Sequence, residues 1–277
     1  MNHQTRNQSR ICLLLCIALL AASAALAQNG DSANGRLSQL VRVGIFEVSI
    51  DGTVDHKAQV FQSPQPRAFL IRSPQLDSAV VLQLDGQKVG AMSTQHVNLG
   101  TDQAQVDSGY SLADEGQFQL SQTSLDFTFQ GHSVQMKAKG DLLGFISSQD
   151  IRDFDTLWSE RQHDYQPSQV DLNRIRGAGQ GKEFRVVTYF GSWCPHCQKR
   201  VPHLMQIEAM LSDSDVDFSY YGIPRPPAFG QDPEAIEKEI DSVPTAIIYQ
   251  GDQEVGRLTR DDWETPEESL AKLLEAL

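Results

Sequence analysis

The stretch FRVVTYFGSWCPHC, residues 184 to 197, constrains the fold of this chain more than any other. An apolar run of strand character ends at Gly191, and two cysteines follow, three positions apart. Between them stand Pro195 and His196. Pro195 suits the first turn of a helix, where a backbone N–H has no partner to lose. Beyond the cysteines, VPHLMQIEAML sets Val201, Leu204, Met205, Ile207 and Leu211 at helical spacing. The pattern predicts a strand that turns directly into a helix, with Cys194 at the helix start.

That placement has chemical consequences. Free backbone N–H groups and the helix dipole favour negative charge at an N-terminus. The Cys194 thiol is expected to lose its proton readily and become a nucleophile near neutral pH. His196, when protonated, would add positive charge beside it. Cys197, one turn in, is placed to attack a mixed disulfide on Cys194 and release the partner. Zinc fits poorly, because it takes four ligands and no second cysteine pair follows; His203, on the same helix, is one further donor. A Cu(I) ion held by the two thiolates is chemically reasonable and stays open.

The chain has four cysteines, and the other two, Cys12 and Cys16, lie in ICLLLCIALLAASAALA. This run of 17 residues follows Arg6 and Arg10 and ends in Ala25-Leu26-Ala27. A basic start, an apolar middle and a small-residue end describe a secretory signal segment, residues 1–27, cut near Ala27. The run is shorter than the roughly 18 to 20 apolar residues of a spanning helix; a retained anchor is the rival reading. Export would place the rest in the periplasm or another oxidising compartment. With two cysteines left, a disulfide scaffold is excluded. The net charge of −13 opposes nucleic acid as a partner. Contact with a membrane is expected only through the signal segment.

Residues 28–150 read as a small antiparallel β domain. In VRVGIFEVSI the alternation through Val41, Val43 and Ile45 slips at Phe46 and resumes at Val48 and Ile50, which suggests a bulge. Asp85-Gly86 marks one hairpin. SLDFTFQ-GH-SVQMKA marks another, with Leu125, Phe127 and Phe129 answered by Val134, Met136 and Ala138. Residues 151–277 alternate strand and helix, an α/β order. LWSERQHDY and PSQVDLNRIRGAGQG carry helical patterns. Strands follow at FRVVTYF, VDFSYYG and VPTAIIYQ, with a hairpin expected at Gly251-Asp252. In TPEESLAKLLEAL, Thr265 reads as an N-cap completed by Glu268, over a stripe of Leu270, Leu273, Leu274 and Leu277.

WCPHC after an apolar strand, Pro202 five residues beyond the second cysteine, and Val243-Pro244-Thr245 before another apolar strand together resemble the thioredoxin superfamily. The resemblance covers about residues 165–277. It implies a nucleophilic role for Cys194, a resolving role for Cys197, and a helix kink at Pro202. It also implies a substrate groove formed by Trp193, Val243 and a cis Pro244 against the sulfurs. Cys-Pro-His-Cys resembles the site of the periplasmic disulfide-forming oxidant, yet the 46 residues between Cys197 and Pro244 leave no room for its inserted helical domain. The scaffold is closer to small thioredoxins and exported TlpA-like reductases. Thr188 stands where thioredoxin has a buried acid, so Glu183 or another residue would have to handle the proton.

Direction of electron flow stays open at this level. Pro-His argues for an oxidant and the scaffold for a reductase. The reading carried forward is an exported protein-disulfide oxidoreductase that needs no cofactor or metal. Its partners would be protein thiols or disulfides and an external redox protein. A copper module, or a binding protein whose β domain carries the function, are the alternatives. The proline-rich loop at residues 223–233 would rim the groove or be plain surface. His56, His96, His132 and His163 read as solvated, and Trp158 and Trp263 as packing or surface aromatics.

Overall fold

The change of phase at Phe46 marks a change of sheet. In the computed structural model, which describes residues 36–277, β1 (Gln39–Arg42) and β2 (Phe46–Ile50) belong to different sheets. The expected bulge is therefore a crossover. In β1 the inward residues are Leu40 and Arg42, while Val41 is 48% exposed, so the parity read from Val41 and Val43 is reversed. In β2, Phe46, Val48 and Ile50 face inward. Cys12, Cys16 and the proposed signal segment lie outside the described residues.

The described residues form two compact units, one ending at Lys139 and the other beginning at Gly140. The first continues with β3 (Thr53–Val54), β4 (Gln59–Ser63), β5 (Ala68–Arg72), β6 (Ala79–Gln83), β7 (Lys88–Met92), β8 (Val97–Leu99) and β9 (Gln103–Val106). It closes with β10 (Ala113–Gln117), β11 (Gln119–Leu120), β12 (Ser124–Phe129) and β13 (His132–Ala138). Eight strands run in the order β10-β7-β6-β5-β4-β1-β9-β8 and five in the order β11-β12-β13-β2-β3, all paired antiparallel. One core, with Phe46, Phe69, Phe127, Phe129 and Val134, draws on both sheets. A second, with Leu40, Phe61, Leu70 and Val81, covers the other face of the larger sheet. This is why β5 and β6 are buried on both sides.

Both expected hairpins form. β6 and β7 join through four residues containing Asp85-Gly86. In the β12–β13 hairpin the turn is Gln130-Gly131, one residue earlier than Gly131-His132, since Phe129 pairs with His132. Both turn residues have positive φ, 50° and 87°, as a two-residue hairpin loop demands. His96 and His132 lie on the surface of this unit, paired with Asp107 and Asp51.

The second unit contains β14 (Gly144–Ile146), α1 (Ser148–Phe154), α2 (Thr156–Asp164), α3 (Gln169–Gly179), β15 (Phe184–Phe190), α4 (Pro195–Met210) and β16 (Val216–Gly222). α5 (Pro233–Glu237), β17 (Thr245–Gln250), β18 (Gln253–Leu258) and α6 (Pro266–Glu275) follow. The sheet order is β14-β16-β15-β17-β18, with β15 and β16 parallel and the other pairs antiparallel. Alternate residues of β15 feed opposite layers. Phe184 and Val186 meet Leu172 of α3, Leu204 of α4 and Leu274 of α6. Val187 and Tyr189 meet Ala235 of α5 and Ile240. A central strand covered by helices on both faces reads as one apolar run, which explains FRVVTYF.

Helix ends depart from expectation in two places. α1 was not legible from its apolar pattern, but Ser147 and Asp150 form a reciprocal capping box at its start. At α6, Thr265 is the N-cap and Pro266 opens the helix as expected, but the Thr265 side chain caps no backbone N–H; its hydroxyl donates to Glu268 Oε2 at 3.1 Å. Within the apolar stripe of α6, Leu270, Ala271 and Leu274 are buried while Leu277 is 48% exposed.

Candidate functional site

The site forms where β15 ends and α4 begins. Cys194 is the N-cap of α4, with extended backbone at φ −86° and ψ 121°, and Pro195 opens the helix. Pro195 and His196 are exposed; Cys194 is 6% exposed and Cys197 fully buried. Both cysteines are free thiols. Pro202 lies inside the same helix and cannot donate to the carbonyl four residues back. Beneath the sulfurs lies a cluster of Ile151, Trp158, Phe190, Val201, Met205 and Tyr220. Trp158, fully buried, meets Phe190 edge-on with ring centroids 5.7 Å apart.

The two sulfurs are biased in opposite directions. The thiol of Cys197, donating to Cys194 Sγ, draws the Cys194 pKa below its ordinary value. Burial opposes this, and the backbone N–H groups of Cys197 and His196 reinforce it, although no conventional cap hydrogen bond to the sulfur forms. His196 thus acts on Cys194 through its backbone, while its side chain stands in solvent. For Cys197, burial pushes the pKa up, and the hydrogen bond to Cys194 and that group's charge push it further. The Gly191 N–H donates to Cys197 Sγ at 3.4 Å and pulls weakly the other way. The outer sulfur is thus the more acidic of the two and the inner one the less.

Val243 and Pro244 arrive from the loop before β17. Their peptide bond is cis, and the Cys194 thiol donates to the Val243 carbonyl at 3.7 Å. Trp193 is half-buried, and its Nε1 donates to the Ile223 carbonyl at 3.0 Å. Trp193, Cys194, Cys197, Val243 and Pro244 therefore converge. Thr188 lies on β15, fully buried, and its hydroxyl has no hydrogen-bond partner among the described residues. Glu183 is at the opposite end of β15 from Cys194 and is exposed, so it does not take the place of a buried acid. Trp263, like Trp158, is a packing residue, 2% exposed.

Ser192 carried no readable signal in the sequence. It is buried, accepts the Leu142 N–H through Oγ at 3.0 Å, and accepts Gln198 Nε2 through its carbonyl at 2.9 Å. Its role depends on a residue fifty positions away, which no local pattern reveals. Among the described residues, no three His, Cys, Asp or Glu side chains come together as a metal-binding group.

The Thioredoxin family profile matches residues 179–276. The sheet order and the cysteine placement agree with that match, and the C-terminal unit is a thioredoxin domain preceded by an antiparallel all-β region. No curated protein matches the chain. Solved structures that overlap part of it include two of low identity. One, a protein of unknown function from Pseudomonas aeruginosa, is 13% identical, with 44% of this chain and 81% of that one covered, at a TM-score of 0.33. The other, an HIV epitope-scaffold, is 12% identical, with 43% and 79% covered, at 0.31.

Proposed function

We propose that this chain is an exported thiol–disulfide oxidoreductase of the TlpA-like type, working through its Cys-Pro-His-Cys pair on protein substrates. The observation that carries the reading is the Cys194–Cys197 pair at the strand-to-helix junction, with Cys194 at the N-cap of α4 and against the cis Val243–Pro244 peptide. In the reducing direction, the Cys194 thiolate attacks one sulfur of a substrate disulfide. An S–S bond forms to Cys194 and the other substrate sulfur leaves as a thiolate, which takes up a proton. Cys197 then loses its proton and attacks Cys194 Sγ; the mixed disulfide breaks and the second substrate thiol departs. The substrate gains two electrons and the pair becomes a disulfide, to be reduced again by an external dithiol protein. The oxidising direction is the same sequence reversed.

Trp193, Val243 and Pro244 line the approach to Cys194 and would seat the substrate backbone. Dithiol-dependent insulin reduction tests the reading: Cys194→Ser should abolish it, and a variant as fast as the parent would refute the assignment. The same pair sets the direction of flow. A potential near about −120 mV would make the protein an oxidant, and one near about −270 mV a reductant.

A further inference from the structure

The geometry points to Asp141 and Arg225 as positioning residues for the exchange site, holding Trp193 through a closed ring of hydrogen bonds; this deepens the oxidoreductase reading and rests on it. The ring starts at Ser192, whose Oγ accepts the Leu142 N–H at 3.0 Å. Leu142 is bonded to Asp141, whose carboxylate accepts three donors from Arg225. These are the backbone N–H at 3.0 Å, Nε at 2.9 Å and Nη2 at 2.5 Å. Two residues back along the chain, the Ile223 carbonyl accepts Trp193 Nε1 at 3.0 Å. Trp193 is bonded to Ser192, and the ring closes.

Every link of the ring constrains the loop that ends in Cys194. The Asp141 and Arg225 side chains are 12% and 23% exposed, so the pair is largely shielded from water and its charge-assisted bonds resist competition. Two further contacts keep the ring from drifting. The Ile223 N–H donates to the Phe190 carbonyl at 2.8 Å, which ties the proline-rich loop to the end of β15. A Cβ on Gly222 would fall onto the Leu142 carbonyl, so the segment entering β14 lies directly on the β16 backbone. An indole held at Nε1 presents a fixed face beside the sulfur. Binding a protein chain there needs that face in place before the substrate arrives.

Asp141→Ala and Asp141→Glu in the full chain test this, with insulin as substrate and dithiothreitol as electron donor. For Asp141→Ala we expect KM for insulin to rise roughly tenfold, within the ~10²-fold that a 1 Å misplacement can cost. The kcat should stay within about twofold and the Cys194 titration midpoint should not move, because the ring sets the groove and leaves the sulfurs' own hydrogen bonds alone. Asp141→Glu keeps the charge and should recover most of the loss. Iodide quenching of tryptophan fluorescence should increase in Asp141→Ala; Trp158 and Trp263 are 0% and 2% exposed, so the quenchable signal belongs to Trp193. Parent values of KM and quenching in Asp141→Ala would overturn the proposal. So would a fall in kcat alone, matching a smaller folded fraction. If the parent chain does not reduce insulin, the oxidoreductase reading falls separately, and quenching alone decides whether the pair holds Trp193.

Discussion

Two thiols of the same intrinsic acidity are biased in opposite directions: the Cys197 thiol donates to Cys194 Sγ and lowers the Cys194 pKa, while burial raises that of Cys197. Linkage gives each a signed consequence. The Cys194 pKa is lowered on folding, so its contribution to the stability of the reduced protein is present above about pH 8.5, its unfolded pKa. That contribution fades as pH falls through the folded pKa. The Cys197 pKa is raised, so its contribution is fully present below about pH 8.5 and is lost as pH climbs. Alkylation by iodoacetamide should therefore follow one ionisation centred below about pH 8.5. That phase should vanish in Cys194→Ser and persist in Cys197→Ser, read by mass as one adduct. Thr188 offers a contrasting test at the same scale. Its buried hydroxyl lacks a partner among the described residues, so Thr188→Val should raise stability by about 1 kcal/mol, the desolvation cost relieved. Chemical denaturation of both proteins checks this, with the Cys194 ionisation unchanged.

Among the elements, the first helix and the edge strand before it depend most on single residues. Ser147 accepts the Asp150 N–H and Asp150 accepts the Ser147 N–H, so Ser147→Ala should cost about 1 kcal/mol, seen as a lower Tm. Gly222→Ala would press a methyl group against the Leu142 backbone and displace β14 from β16. Its cost should be about 1–3 kcal/mol, like other overpacking changes, and hydrogen exchange should speed at residues 144–146 before the rest of the sheet. Capping shows how far local rules carry. The Ser147–Asp150 pair obeys the rule, whereas Thr265 sits at the expected N-cap and spends its hydroxyl on the Glu268 side chain. The neighbouring Glu267 is drawn inward instead, accepting the Tyr165 hydroxyl at 2.6 Å and the Ser168 N–H at 3.0 Å. That helix start is thus bonded to residues about one hundred positions away.

For the whole molecule, each unit holds its own hydrophobic clusters, which is the condition for folding alone. Residues 140–277 expressed by themselves should unfold cooperatively and keep the depressed Cys194 ionisation; loss of either would show that the division at Lys139 does not mark a folding boundary. The sequence by itself determined the strand-to-helix junction, the hairpins and the cysteine pair. Each is decided by neighbours within a few residues: a turn that needs positive φ, a proline that suits a first turn, an apolar period. Tertiary structure alone decided that β1 and β2 belong to different sheets, since alternation records a change of face but not which sheet lies behind it. It alone decided that the Thr188 hydroxyl has no hydrogen-bond partner among the described residues, and that Asp141, Ser192 and Arg225 meet around Trp193. The hydrogen bonds that bring them there join residues 30 to 84 positions apart, and a hydrogen bond at that separation leaves no periodic trace in the chain.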